Sequence, residues 1–142
     1  MNTSDEEKVM LQVGVKILLK NSAGQYLLLR RSLEKYPEVK GRWDIVGGRI
    51  NPGIPLLENL KREVREETGL MLSNEPRLVG AQDILRNPQR HVVRLTYVGE
   101  ANGNISLDTT ENDMYKWFEK NELLKLSDMD MYFKELLATN FL

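Results

Sequence analysis

Three carboxylates stand at i, i+3 and i+4 in the run Arg62-Glu63-Val64-Arg65-Glu66-Glu67-Thr68-Gly69-Leu70. On a helix, Glu63, Glu66 and Glu67 share one side. Like charges at that spacing repel, so a fold gains nothing by gathering them. A divalent cation held between them reverses the sign of the interaction. The pattern points to a hard metal ion such as magnesium and, through it, to phosphate chemistry.

The surrounding helix is read from about Pro55 to Thr68. Leu56, Leu57, Leu60 and Val64 fall on one stripe at about 100° per residue. The three glutamates run along one edge of that stripe, whereas Glu58, Lys61, Arg62 and Arg65 lie on the other side. A solvated helix more often mixes its signs at i, i+4 spacing. Glu63 and Glu67 are therefore expected beside the buried stripe, facing a cleft. A charged, solvent-facing helix stopped by Gly69 is the other reading of this segment alone.

The approach to the helix favours the cleft. Trp43-Asp44-Ile45-Val46-Gly47-Gly48-Arg49-Ile50-Asn51-Pro52-Gly53 reads as a short strand entering a glycine-rich loop. Gly47 and Gly48 permit close approach of backbone to a ligand. Pro52-Gly53 signals a turn, and Pro55 suits the first helical position. Strand, glycine loop and acidic helix face together form a pocket suited to a magnesium-bound diphosphate.

At this point the chain resembles the Nudix hydrolases, whose box reads G-x5-E-x7-R-E-U-x-E-E-x-G-U, with U a bulky aliphatic residue. Gly48 opens the box, and Arg62 through Leu70 match its last nine positions without a gap. The likeness extends to an aliphatic strand ending in Arg30-Arg31, to Trp43-Asp44, and to Glu111 with Tyr115-Lys116-Trp117-Phe118.

The resemblance implies an α/β/α sandwich with a mixed sheet. It also implies hydrolysis of a nucleoside diphosphate linked to another moiety, by water attack at phosphorus, with magnesium or manganese. By position, Glu63, Glu66, Glu67 and the Gly47 carbonyl would bind metal, and Arg62 would orient Glu63. Glu66 or Glu111 would act as general base. Gly48 opens the substrate loop. Arg30, Arg42 and Arg49 flank the expected cleft and are candidates for phosphate contact. Dimers are frequent in related proteins, so a homodimer is compatible with this reading.

One box position departs from the pattern: the expected glutamate is Ile54. Isoleucine accepts no hydrogen bond, and no Ser, Thr, Asp or Asn immediately precedes Pro55 to cap the helix, which would cost about 0.5–2 kcal/mol locally. The site is expected either intact but less rigidly held or reduced in activity. Two other classes stay in view. A non-catalytic nucleotide-binding sensor would have no need of all three glutamates. An isomerase on the same fold would call for a reactive cysteine, and the chain has none.

Composition agrees with a single enzyme domain over residues 1–142. A chain of 142 residues is long enough to bury about 70% of its unfolded surface. The net charge of −1 gives no general attraction to nucleic-acid polymers or acidic membranes. An anionic nucleotide must then be met by local cations and the metal. The lack of cysteine excludes disulfides and thiolate sites and fits a reducing, cytoplasmic setting. The start of the chain, Met1-Asn2-Thr3-Ser4-Asp5-Glu6-Glu7, is polar and acidic, unlike a signal peptide. No apolar run reaches the length of a membrane span.

The positioning elements follow from local pattern. Strands are expected at Val9 to Leu19, Gln25 to Arg30, Leu78 to Leu85, His91 to Gly99 and Met114 to Phe118, and a closing helix at Met129 to Ala138. Arg86 to Arg90 reads as a loop, and residues 31–42 as a longer polar one. Hairpins mixed with helices argue for a layered α/β sandwich. His91, the lone histidine, is read as structural. Arg86, Arg90 and Arg94 are read as one basic group serving a substrate tail or solubility. Trp117 and Phe118 are read as core.

Overall fold

The computed structural model of the protein describes residues 8–142. The acidic stretch 1–7, read above as no signal peptide, lies outside the described residues. Seven strands form one mixed sheet: β1 (Met10–Lys20), β2 (Tyr26–Arg31), β3 (Trp43–Asp44), β4 (Val46–Arg49), β5 (Arg77–Asn87), β6 (Arg90–Glu100) and β7 (Asn112–Phe118). The helices are α1 (Leu56–Thr68), α2 (Lys120–Lys125) and α3 (Met131–Leu137).

The aliphatic run of β1 makes it the central strand. It pairs parallel to β6 from Met10↔Arg90 through Lys20↔Glu100. β2 and β4 both pair with it antiparallel, at Leu19↔Leu27 and at Gly14↔Arg49 through Ile17↔Val46. The sheet divides where these two partners part, and β4 delivers the glycine pair beside α1.

Alternation along β1 sends side chains to two cores. Val15, Ile17 and Leu19 pack with Leu60 and Val64 of α1 on one face. Leu18, with Leu28 and Ile45, packs against Leu123 of α2 and Phe133 of α3 on the other. This α/β/α layering is the expected class.

Element limits shift in places. β5 and β6 run on to Asn87 and Arg90, so Pro88 and Gln89 alone turn the hairpin where a loop over Arg86 to Arg90 was expected. The short helix α2 was not expected. In α1, Leu60 and Val64 are buried as predicted, but Leu56 is 37% exposed, and Asn59 and Thr68 complete the buried face instead. Gly69 ends the helix with φ 73°, its N–H bonded to the Arg65 carbonyl, a conformation that glycine adopts at little cost. Among the described residues no helix is long and apolar enough to cross a membrane.

Candidate functional site

Gly47 and Gly48, expected in a loop, lie within β4 and pair with Lys16 and Val15 of β1, and this strand is tied to the acidic helix face. Gly47 has φ 143°, and a Cβ there would lie 2.0 Å from the Val15 carbonyl oxygen. Only glycine fits. Its N–H donates to Glu67 Oε2 at 2.8 Å. At Gly48 a Cβ would come within 3.0 Å of both carboxylate oxygens of Glu63. The missing side chain leaves a notch directly against that carboxylate.

Glu63, Glu66 and Glu67 all line one cleft of about 1160 Å³ together with Gly47, Gly48 and Arg49. Arg62 donates to Glu63 Oε1 at 2.9 Å and stands 3.8 Å from Glu66 Oε1. Burial raises the Glu67 carboxyl to about 7, with Glu63 and Asp44 adding repulsion, while Lys16 and the Gly47 N–H oppose the shift. Glu66 is the outermost of the three, its side chain 57% exposed.

Among the described residues no group of carboxylates converges into a preassembled metal shell. Glu63 is turned toward Arg62, and Glu67 toward the Gly47 N–H. The donor set nonetheless fits a hard divalent cation. Hard oxygen ligands face one cleft, one of them is half-buried and raised in pKa, and the notch at Gly48 leaves space beside Glu63.

Glu111 also lines the cleft. Lys35 Nζ and Tyr36 Oη both donate to its carboxylate. Partial burial pushes its pKa up, but these two bonds outweigh that and hold it below the usual value. The loop after β2 is thereby fastened to the start of β7.

The expected arginines divide. Arg49 lines the cleft, its pKa lowered by partial burial and then by Arg90 and Arg86. Arg31, Arg86 and Arg90 line it too. Arg30 and Arg42 are not brought there. Both donate to Asp113, at 2.7 and 2.6 Å. His91 pairs with Asp83 at 2.7 Å.

Arg94 corrects the grouping with Arg86 and Arg90. It is 4% exposed and bonds Asp44 and Asp130 at 3.1 and 2.9 Å. Asp44 also pairs with Lys16 at 3.2 Å and Arg31 at 2.7 Å. Burial opposes ionisation of Asp44, yet Arg94, Lys16 and Arg31 together hold its carboxyl well below the usual range. Three cations, Lys16, Arg31 and Arg94, thus share the two carboxylates Asp44 and Asp130. The available signal was a charge inside each apolar run: Lys16 in β1, Asp44 beside Trp43, and Arg94 in β6.

A family model described as NUDIX domain matches residues 10–139. An uncharacterised Nudix hydrolase of Pseudomonas aeruginosa is 40% identical over 67 residues, 45% of this chain and 38% of that protein. One from Bacillus subtilis is 26% identical over 91 residues, 61% of this chain and 57% of that protein. The chain thus spans less than two thirds of either relative's length. The crystal structure of a MutT protein from Methanosarcina mazei Go1 superposes with TM-score 0.79 at 27% identity, covering 93% of this chain and 94% of that one. A MutT Nudix hydrolase from Burkholderia pseudomallei shares the fold, with TM-score 0.74 at 20% identity, covering 91% of this chain and 97% of that one.

Proposed function

This chain belongs to the Nudix family, and on that premise we propose that it is a divalent-metal-dependent pyrophosphohydrolase of nucleoside diphosphate-X compounds. X is a further phosphate, a sugar or a second nucleotide. One observation carries the reading. The glutamates Glu63, Glu66 and Glu67 share a cleft with the Gly47-Gly48 pair of β4 and with Arg31, Arg49, Arg86 and Arg90.

Glu63, Glu66, Glu67 and the carbonyl of Gly47 would hold magnesium or manganese. Such an ion, when bound, masks phosphate charge and lowers the cost of bringing a nucleophile to phosphorus. The chain's own groups do the rest. Arg31, Arg49, Arg86 and Arg90 offer charge-assisted bonds to phosphate oxygens along the cleft. Arg62 fixes the carboxylate of Glu63 by its bond to Oε1. Glu66 faces the cleft with the least engaged carboxylate of the three, which suits it to take a proton from water. Glu111 is less suited in this arrangement, because Lys35 and Tyr36 both occupy its carboxylate.

The same reading takes a small nucleotide as the partner and residues 1–142 as one domain. A reducing cytosol suits a chain without cysteine. The test is phosphate or nucleotide release from a panel of nucleotide derivatives, with and without Mg²⁺. Turnover that appears only with the metal supports the reading. Tight nucleotide binding with no turnover under Mg²⁺ or Mn²⁺ would replace it with the sensor.

A further inference from the structure

Asn59 is a polar residue at a position that α1 buries completely, at 0% exposure between Leu60 and the start of the helix. A buried amide left unsatisfied is costly, so its partners matter. All of its hydrogen-bonding capacity is used. Nδ2 donates to the carbonyls of Ile54 at 2.8 Å and Pro55 at 3.0 Å. Oδ1 accepts from the Asn51 N–H at 2.9 Å and from Arg62 Nη1 at 2.7 Å.

These four bonds join two things that sequence alone left unconnected. Three of them grip the turn over residues 51–55, whose helix start has no side-chain cap. Ile54 contributes only its backbone carbonyl to these bonds and is itself 43% exposed. The fourth bond fixes Arg62, whose other terminal nitrogen donates to Glu63 Oε1 at 2.9 Å and to the Arg49 carbonyl at 3.3 Å. A continuous line runs from the turn through Asn59 and Arg62 to the carboxylate facing Gly48.

We propose that Asn59 is a positioning residue. It fastens the turn over residues 51–55 to the acidic helix and, through Arg62, sets Glu63 for the cation, which Ile54 cannot do. The proposal draws on the metal-dependent reading above, but its main readout does not need turnover.

The experiment measures Mn²⁺ affinity by calorimetry, with kcat and KM under Mg²⁺, for wild type, Asn59→Ala, Asn59→Ser, and Asn59→Ala combined with Ile54→Glu. Outer partners of metal ligands typically contribute about 10–100-fold to affinity or activity. Asn59→Ala is expected to weaken Mn²⁺ binding by about 10-fold or more and to lower kcat by a similar factor with KM little changed. Adding Ile54→Glu is expected to recover most of the loss, because a carboxylate at 54 supplies a new acceptor on the same turn. Asn59→Ser keeps a small polar side chain and serves if the alanine variant does not fold. Folded variants with wild-type Mn²⁺ affinity would overturn the proposal. So would loss of affinity that Ile54→Glu leaves unrepaired, since a general packing defect predicts that result. A wild type that binds Mn²⁺ but hydrolyses no nucleotide overturns the functional reading and leaves this one to be decided by the affinities.

Discussion

The backbone N–H of Gly47 donates to Oε2 of Glu67 at 2.8 Å, so strand β4 and the acidic helix face are one mechanical unit. The bond needs the φ of 143° that Gly47 adopts, with the Val15 carbonyl packed where a Cβ would stand. Gly47→Ala should therefore cost about 3 kcal/mol or more and abolish turnover. Urea unfolding and activity assays check both.

Glu67 gives the metal-free protein a pH signature. Its carboxyl is raised from 4.5 to about 7, so the folded state holds a proton that the unfolded chain has already lost. Unfolding free energy should fall as pH rises from about 4.5 to 7, by about 3 kcal/mol from this group. Mg²⁺ should reverse the fall at neutral pH by favouring the ionised form. Thermal melts across pH 5–8, with EDTA and with Mg²⁺, read this directly. A flat metal-free profile would contradict it.

Asp44 acts in the opposite sense at acid pH. Its depressed pKa means that the stabilisation is full above the ordinary value of 3.8 and is lost as pH falls below it. Asp44→Asn leaves Lys16, Arg31 and Arg94 without their shared carboxylate. The expected cost is about 3–5 kcal/mol. Chemical denaturation at pH 7 measures it, and a change under about 1 kcal/mol would mean that the network is not held as described.

Glu66 and Glu111 separate as candidates for the base. Glu66→Gln should lower turnover at least about a hundredfold without changing the melting temperature, whereas Glu111→Gln should lower it by less than about tenfold. Equal losses would return Glu111 to the role of base.

The acidic helix and the layered sheet were legible because each rests on local pattern, whereas Gly47 and Gly48 read as a loop and are drawn into β4 by pairing with β1. Glu63, Glu66 and Glu67 declare themselves by spacing, Gly69 by its stop, and β1 by its aliphatic run. What was not legible depends on pairing across the sheet. Lys16, Asp44, Arg94 and Asp130 lie far apart along the chain and meet only because β1 and β6 run parallel while α3 packs beneath them. Arg30 and Arg42 looked like phosphate ligands by position, but Asp113 on β7 is within reach of both. Asn59 was hidden for another reason: an asparagine on a helix usually faces water, and its use as a clamp shows only when the turn folds over it.

A cation held by Glu63, Glu66 and Glu67 would prepare a nucleotide diphosphate for attack by water. This is tested most directly by Mg²⁺-dependent product release from nucleotide substrates, comparing wild type with Glu66→Gln at equal folded concentration. Turnover should require the metal and fall at least about a hundredfold in the variant. Metal-independent turnover, or a variant as active as wild type, would contradict it.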